Sequence, residues 1–227
     1  MAGLFITGTG TGVGKSVVAA AIISALTARG RRVAAFKPAV SGLDEPTPGW
    51  PIDHELLAGA TGWQTPEQVS PFTFGPAVSP HLAASLAGTA ITLDALLAAY
   101  EASSADAELT ICEGVGGLLV PLSDAPPLSV LDLARSLDLP LVVATHPGLG
   151  TISDTRLTVD RIHAEGLKVA AVVVSGWPDQ PSKVELSNLE TLARLLRVEV
   201  ATLPMTTPDR LAQDASSLPI ERWISTA

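Results

Sequence analysis

The sequence predicts an α/β fold of three layers, in which a doubly wound and mostly parallel sheet lies between two layers of helices. Short apolar runs alternate with helical segments along the chain, and the runs lack the polar alternation of a half-exposed sheet. A glycine-rich segment follows the first of these runs, and parallel sheets bind ligands at such turns. With 227 residues, the chain is expected to form a single domain, residues 1–227.

The predicted strands are short and mostly rich in β-branched residues, and their apolarity indicates burial on both faces. They are Leu4–Thr7, Val33–Lys37, Leu109–Glu113, Leu141–Thr145, Val169–Ser175 and Val200–Leu203. The carboxyl ends of parallel strands lie at one edge of a sheet. Polar residues at these ends are therefore expected to come together there.

Helices are predicted between the strands. The first is rich in alanine and ends before Gly30, while Ser79-Pro80 and Thr92 are typical helix starts. The predicted helices are Lys15–Ala28, Asp53–Ala60, Ser129–Leu137, Thr151–Ala164 and Ser182–Leu196, with two more starting at Ser79-Pro80 and at Thr92, the latter running to about Ser103. The segment Gly42–Pro51 is rich in proline and glycine, which predicts a flap over the site.

The composition excludes several classes of partner. Fourteen basic and 23 acidic residues give a net charge of −9, and an acidic surface repels nucleic acid and anionic lipid. No apolar run approaches the roughly 18–20 residues that cross a bilayer. No basic segment precedes the first apolar run, so a cytoplasmic location is expected. The single cysteine, Cys112, lies in an apolar run and is expected to be a buried hydrophobic residue.

The segment Gly8–Ser16 opens a helix directly after a strand and reads Gly-Thr-Gly-Thr-Gly-Val-Gly-Lys-Ser. Glycines let backbone N–H groups surround phosphate oxygens, and the helix N-terminus adds partial positive charge. Lys15 is expected to contact the β- and γ-phosphates, and the Ser16 hydroxyl to ligate Mg²⁺. The pattern predicts a P-loop NTPase-like fold, with a loop one residue longer than the common form. A turn that merely connects strand and helix is the alternative.

Two carboxylates are candidates for the same magnesium ion. Glu113 ends a predicted strand and precedes Gly114–Gly117, where small residues let it approach a γ-phosphate. Asp53 begins a helix beyond the flap, although alone it is also typical of a first helical turn. Lys37 closes the second strand and is expected to point to the mouth of the site, where it would stabilise a transferring phosphoryl group. A solvated strand-end lysine is equally compatible.

Taken together, these segments resemble the dethiobiotin synthetase family, whose members close the ureido ring in biotin synthesis. The resemblance extends over nearly the whole chain, and its blocks are more specific together than the phosphate loop alone. The blocks are Gly8–Ser16, Phe36–Pro38 with Ser41-Gly42, Pro71–Phe74 with Ser79–His81, Glu113–Leu118, Gly148–Ile152 and Leu203-Pro204.

The resemblance implies an ATP-dependent ligase that forms C–N bonds in 7,8-diaminononanoate. One amine takes up CO₂, supplied as bicarbonate, to form a carbamate. ATP phosphorylates the carbamate to a carbamic–phosphoric anhydride, and the other amine displaces phosphate to give dethiobiotin. Lys15 and Lys37 are implied to be catalytic, with Mg²⁺ on Ser16, Asp53 and Glu113.

The resemblance also implies a homodimer and a set of binding residues. The diamine is expected to contact Ser41 and Thr11 and, on the partner subunit, a helix start with free N–H groups. That helix start consists of Gly150, Thr151, Ile152 and Ser153. The residues expected at the nucleotide are Gly12, Val13, Gly14, Lys15, Ser16, Val17, Asp53, Glu113, Gly114, Val115, Gly116, Ser175, Gly176, Pro204, Met205 and Thr206.

The chain departs from the family pattern at three places. Ser175-Gly176 stands where many members carry Asn-Asp to hold adenine, which leaves ATP or another nucleoside triphosphate open. Ser153 stands where the family often has asparagine, so the carboxylate contact there is expected to be weaker or to rely on the backbone alone. Gly12 stands where the family often has glutamate.

Other functional classes share this fold. Regulatory ATPase switches carry a signature lysine near the start of the loop, where this chain reads Thr7–Gly10. A catalytically silent sensor would have no need of the two lysines and two carboxylates. An amidase-type ligase acting on cobyrinic acid would carry an additional glutamine-hydrolysing domain, for which 227 residues leave no room.

Overall fold

The structure is a computed structural model that describes residues 2–45 and 48–225. Its strands are β1 (Gly3–Gly8), β2 (Val33–Phe36), β3 (Val40–Ser41), β4 (Thr73–Phe74), β5 (Leu109–Glu113), β6 (Pro121–Asp124), β7 (Pro127–Ser129), β8 (Leu141–Thr145), β9 (Val169–Trp177) and β10 (Glu199–Pro204). Its helices are α1 (Lys15–Ala28), α2 (Asp53–Thr61), α3 (Pro66–Val69), α4 (Pro80–Leu86), α5 (Leu93–Ser104), α6 (Val130–Leu137), α7 (Thr151–Ala164), α8 (Lys183–Leu195), α9 (Leu211–Asp214) and α10 (Ile220–Ile224). None of the helices in the described ranges has the length and apolarity that a membrane crossing requires.

Within those ranges, six parallel strands form the central sheet in the order β10-β9-β8-β1-β5-β2. From β1 the chain passes to the β2 edge, returns through β5, and then builds the other half outward to β10. This reversal at β1 creates a crevice at the carboxyl ends of the strands, where doubly wound sheets bind ligands. The predicted fold class is confirmed, and the six predicted strands end within two residues of their observed positions.

The two faces of the sheet carry separate apolar cores. Leu4 and Ile6 of β1 pack in the core that contains α1, whereas Phe5 packs in the core on the opposite face. Alternate residues of a strand point to opposite faces, so a strand covered on both sides must be apolar throughout. This is why the strands read as continuous apolar runs.

The predicted helices are confirmed, and three of their starts are capped by side chains, although only the cap at Thr92 was expected from the sequence. Side chains of Thr92, Ser129 and Ser182 accept a hydrogen bond from the N–H three residues later. Ser79 stands at the N-cap of α4, but within the described residues its side chain makes no capping bond. The pairs β3–β4 and β6–β7 and the helices α3, α9 and α10 were not predicted, because such short segments carry little periodic pattern.

The predicted flap follows β3. Its described parts, residues 42–45 and 48–51, contain neither helix nor strand, which confirms the predicted loop. Residues 46 and 47 of the flap lie outside the described residues. Backbone bonds from Gly42 to Pro76 and from Leu43 to Phe74 attach the base of the flap to the segment around β4.

The outer edge of β2 is covered by the segment that joins α2 to α3. The Gln64 side chain takes the place of a neighbouring strand. Its Oε1 accepts a hydrogen bond from the Ala35 N–H at 2.6 Å, and its Nε2 donates one to the Ala35 carbonyl at 3.3 Å. The Trp63 indole donates to the Val33 carbonyl at 2.9 Å, and the Lys37 N–H donates to the Val69 carbonyl at 2.9 Å. Unpaired edge groups are thereby satisfied, and the strand leading to Lys37 is held in place.

Replacing the buried amide should therefore destabilise the protein. Gln64→Leu leaves the Ala35 N–H without its acceptor, which should lower the free energy of unfolding by about 2 kcal/mol. Urea denaturation followed by circular dichroism measures the change. The matched control is Gln180→Leu at an exposed position. Equal stabilities of the two variants would contradict the role given to Gln64.

Candidate active site

The phosphate loop, residues 9–14, joins β1 to α1. Gly12 and Gly14 adopt φ angles of +76° and +86°, a left-handed conformation that favours glycine. The Lys15 ammonium folds back over the loop and donates to the Gly10 carbonyl at 2.8 Å. The loop is thus shaped as a cradle with the lysine above it.

Close packing against β9 holds one side of this loop. A Cβ atom on Gly14 would lie only 2.3 Å from the Ser175 Oγ near the end of β9. On the other side, a Cβ on Gly117 would lie 3.7 Å from the Gly8 carbonyl oxygen, an ordinary van der Waals distance. Glycine at position 14 therefore lets the loop approach β9, while the approach of Glu113 and the Gly114–Gly117 backbone to a γ-phosphate stays a prediction.

Beside the loop, four elements bring together a cluster of charged side chains. The Lys37 Nζ donates to the Glu113 Oε1 at 2.6 Å and lies 2.7 Å from the Asp53 Oδ2. The Ser16 Oγ donates to the same Glu113 oxygen at 2.8 Å. Lys37 follows β2, Glu113 ends β5, and Asp53 and Ser16 lie at the starts of α2 and α1. The predicted convergence at one edge of the sheet is confirmed.

The alternative of a solvated strand-end Lys37 is wrong. Its side chain is only 3% exposed, and it lines the cleft beside the phosphate loop. The reason is that Glu113, fully buried at the end of the adjacent strand, attracts the ammonium group inward. Asp53, whose side chain is 45% exposed, contacts the same ammonium from the open side.

The pKa values of the cluster reflect burial set against charge pairing. Burial opposes the charge on Lys37, but Glu113 and Asp53 outweigh it and raise the pKa of Lys37 above its ordinary value. Burial likewise opposes ionisation of Asp53, yet Lys37 holds the pKa of Asp53 below its usual range. Burial raises the pKa of Glu113, and Lys37 opposes this. We assign the cluster as ionised because one ammonium contacts both carboxylates.

Lys15 has a different environment. Burial lowers the pKa of Lys15, and the nearby Lys37 adds to this effect while Glu113 opposes it. Its ammonium donates to a neutral carbonyl of the loop rather than to a carboxylate. The positive charge of Lys15 is therefore not paired directly with a carboxylate, so it can attract an anion bound at the loop.

The cluster fits a magnesium ion. The second oxygen of Glu113, Oε2, is buried without a hydrogen-bond partner among the described residues, which leaves an acceptor for a cation. With Ser16 and Asp53 it forms a set of oxygen donors, which Mg²⁺ prefers. The described ranges contain no group of three or more His, Cys, Asp or Glu suited to a metal. An ion held by Glu113, Asp53 and Ser16 would complete its shell with phosphate and water.

A cleft of about 720 Å³ opens over the cluster. The predicted site residues that line it are Thr11, Gly12, Gly14, Lys15, Ser16, Val17, Lys37, Ser41, Asp53, Glu113, Val115 and Gly116. Glu45 and Trp50 of the flap also line the cleft, so the flap borders the site as predicted. These two residues were missed because only the flap as a whole carried a sequence signal.

Other predicted residues lie elsewhere. Val13 is buried in the apolar core, and Gly114 packs so closely that a Cβ would lie 2.8 Å from the Val130 side chain. The end of β9 and the residues after β10 meet where the Met205 N–H donates to the Trp177 carbonyl at 2.9 Å. The predicted nucleotide-binding residues here are Ser175, Gly176, Pro204, Met205 and Thr206, and they do not line the described cleft.

The predicted carboxylate-binding helix start lies at a second cavity of about 560 Å³. Gly150, Ile152 and Ser153 line it, whereas the Thr151 side chain is fully buried. Within one chain, this cavity does not share lining residues with the cleft around Lys37. The idea that a partner subunit supplies this helix start stays a prediction.

Cys112 is fully buried, and burial raises the pKa of its thiol well above the ordinary value. A thiol that stays protonated is a poor nucleophile. The side chain packs in the core with Phe5 and Phe36, as the sequence predicted.

Comparison with known proteins identifies the family. A family model described as an AAA domain matches residues 2–208. The ATP-dependent dethiobiotin synthetase BioD of Anaeromyxobacter dehalogenans is 41% identical to this chain over 221 residues, which cover 96% of each. The chain belongs to the dethiobiotin synthetase family. The ATP-dependent dethiobiotin synthetase BioD of Bacillus subtilis is 33% identical to this chain, and the alignment covers 88% of this chain and 85% of the Bacillus protein.

Solved structures share the fold of this dethiobiotin synthetase family member. The MinC:MinD cell division complex of Aquifex aeolicus matches with a TM-score of 0.58 and 13% identity, covering all of this chain and 95% of the other. A nucleotide-binding protein in complex with ADP from Archaeoglobus fulgidus matches with a TM-score of 0.53 and 15% identity, covering 100% and 88%. At this identity the likeness concerns the P-loop fold alone.

The contact between Gly14 and Ser175 can be tested. Gly14→Ala should lower the free energy of unfolding by about 2–4 kcal/mol, because it adds left-handed backbone strain and a steric overlap. Ser175→Gly removes the overlapping atom, so the double variant should recover about half of the loss. Thermal and urea unfolding of the four proteins in the cycle measure the coupling. Strict additivity would contradict the contact.

Proposed function

We propose that this chain catalyses the carboxylation and ring closure of 7,8-diaminononanoate with CO₂, using ATP or another nucleoside triphosphate. The products would be dethiobiotin, the nucleoside diphosphate and phosphate. Relatives that are 33–41% identical and carry the name ATP-dependent dethiobiotin synthetase support this activity. The observation that carries it is the meeting of Lys15, Lys37 and Glu113 beside a glycine-rich loop in one cleft.

The proposed chemistry has three steps. An amine of the diamine adds to CO₂ and loses a proton, which gives a carbamate. A carbamate oxygen attacks the γ-phosphorus, so that the bond to the β-phosphate oxygen breaks and a carbamic–phosphoric anhydride forms. The second amine then attacks the carbonyl carbon and loses a proton, phosphate leaves, and the ureido ring closes. Each step develops or shifts negative charge on oxygen atoms, so fixed cations should dominate the catalysis.

The two lysines would serve these steps differently. Lys15, tied to a neutral carbonyl of the loop, would exchange that contact for a phosphate oxygen. Lys37 has three N–H donors and uses two of them on Glu113 and Asp53. The remaining donor would contact the carbamate or the transferring phosphoryl group. Lys37 would therefore both orient the carboxylates and stabilise the developing charge.

Ser16, Asp53 and Glu113 would hold Mg²⁺, with the free Oε2 of Glu113 as the most direct ligand. When bound, Mg²⁺ supplies positive charge to the phosphate oxygens. The pairing of Lys37 with both carboxylates would keep these ligands oriented for the ion.

Substrate binding would use the cleft and its flap. Thr11 and Ser41 line the cleft and would donate hydrogen bonds to the diamine or its carbamate. Glu45 and Trp50 would restrict access of water, which protects a reactive anhydride from hydrolysis. The homodimer, with the helix start at Gly150–Ser153 facing a partner's cleft, and the cytoplasmic location both stay predictions.

Phosphate release separates this function from a regulatory ATPase. The protein should release phosphate from ATP with Mg²⁺ only when diaminononanoate and bicarbonate are both present, because the carbamate is the phosphoryl acceptor. A coupled phosphate assay with each substrate omitted in turn measures this. Equal release without the diamine would contradict the proposal and favour a switch.

Lys37→Ala should separate chemistry from nucleotide binding. Loss of the buried ammonium should reduce kcat by about 10²–10³-fold, as for removal of one transition-state donor. The Kd for the nucleotide should change by less than about threefold, because Lys15 and the loop remain. Steady-state kinetics and calorimetry test this, with exposed Lys168→Ala as the control. Normal turnover at saturating nucleotide would contradict the role.

A further inference from the structure

Four threonine hydroxyls form a continuous hydrogen-bonded cluster behind the phosphate loop. The Thr145 Oγ1 lies 3.2 Å from the Thr9 Oγ1 and 2.8 Å from the Thr151 Oγ1. The Thr155 hydroxyl donates to the same Thr145 oxygen at 3.1 Å. Thr145, Thr151 and Thr155 are fully buried, and Thr9 is half-buried. We call these four residues the threonine cluster.

The threonine cluster connects two separate parts of the site. Thr9 begins the phosphate loop, and its backbone N–H also donates to the Ala144 carbonyl at 3.1 Å. Thr145 ends β8, while Thr151 is the first residue of α7 and Thr155 lies one turn later. The side chain of Thr145 therefore links the loop to the start of α7, because it contacts both Thr9 and Thr151.

The hydrogen bonds that Thr145 makes with Thr9 and with Thr151 depend on each other. A threonine hydroxyl donates one hydrogen bond and accepts up to two. Because Thr155 donates to Thr145, the remaining capacity of Thr145 is one donation and one acceptance, shared between Thr9 and Thr151. If Thr9 directs its proton toward a bound anion, Thr145 must donate to Thr9, and Thr151 must then donate to Thr145. The hydrogen-bond state of the loop thus determines that of the helix start.

The segment between β8 and α7 is also held from its other side. The Asn188 amide of α8 donates to the Pro147 and Gly148 carbonyls at 2.9 and 3.0 Å. Asn188 lines the second cavity together with Gly150 and Ser153. The start of α7 is therefore held by α8 on one side and by Thr145 on the other. A change in the hydrogen bonds of Thr145 would then shift this helix start relative to α8.

We propose that Thr145 is a positioning residue that couples occupancy of the phosphate loop to the geometry of the start of α7. The proposal rests on the proposed function, in which the nucleotide occupies the loop and the substrate carboxylate binds at Gly150–Ser153. Nucleotide binding would then prepare the helix start for the carboxylate of the diamine in the partner's cleft. Thr145 lines neither of the two cavities and would act only through Thr9 and Thr151.

The first test uses hydrogen–deuterium exchange with MgADP as the probe, which requires no diamine. Nucleotide should slow exchange of backbone amides in residues 146–153 of the unaltered protein. Thr145→Val should lose at least about half of this protection, and Thr145→Ser should restore it. Thr9→Val, at a half-buried position, should reproduce the loss without altering the core.

The matched control is Thr7→Val. Thr7 is buried in β1, and its hydroxyl has no partner among the described residues, so its removal should leave protection unchanged. Equal protection in Thr145→Val and the unaltered protein would overturn the proposal. So would the absence of nucleotide protection in the unaltered protein, or an equal loss in Thr7→Val.

A kinetic arm separates this proposal from the proposed function. Thr145→Val should raise KM for the diamine about fivefold or more, the lower end of typical coupling between sites, while kcat changes little. If Thr145 had a merely structural role, Thr145→Val would lower kcat and the free energy of unfolding along with raising KM. That result would overturn the proposal. If the unaltered protein does not turn over the diamine, the proposed function fails, and the exchange experiment alone decides the role of Thr145.

Discussion

The buried ammonium of Lys37 is the interaction on which the site depends. It draws Glu113 from β5 and Asp53 from α2 onto one point, so three elements far apart in sequence are fixed relative to each other. With Lys15 included, the two lysines and two carboxylates carry no net charge, which offsets the cost of burying Lys15, Lys37 and Glu113. Removing one member of such a cluster leaves an uncompensated buried charge, which is far more costly than the pair is stabilising.

The rest of the fold serves to hold these groups in register. Trp63, Gln64 and Val69 satisfy the free edge of β2, and this keeps the strand before Lys37 from shifting. The loop beside Lys15 packs against Ser175 so closely that a Cβ on Gly14 would overlap the Ser175 hydroxyl. Preorganisation of this kind lets cations act on developing charge without rearrangement.

Much of this arrangement could be predicted from sequence because it depends on local patterns. Strands buried on both faces read as apolar runs, and the Gly8–Ser16 segment specifies a phosphate loop by composition and position. The sequence left open whether Lys37 is a site residue or a solvated lysine, since its burial depends on where Glu113 lies in three dimensions. The contacts of Gln64 with Ala35 and of Thr145 with Thr9 and Thr151 escaped prediction, because a buried glutamine or threonine has no sequence pattern of its own. Contacts between distant segments are set by topology, which periodicity does not encode.

The covered edge of β2 has a consequence for assembly. A bare outer strand would offer a row of donors and acceptors to a strand from another molecule, and sheets commonly grow in this way. Here the indole and the carboxamide already occupy those positions. Any contact between copies of this chain on that flank must therefore be made through helices and loops, and the sheet cannot be continued there from one molecule into the next.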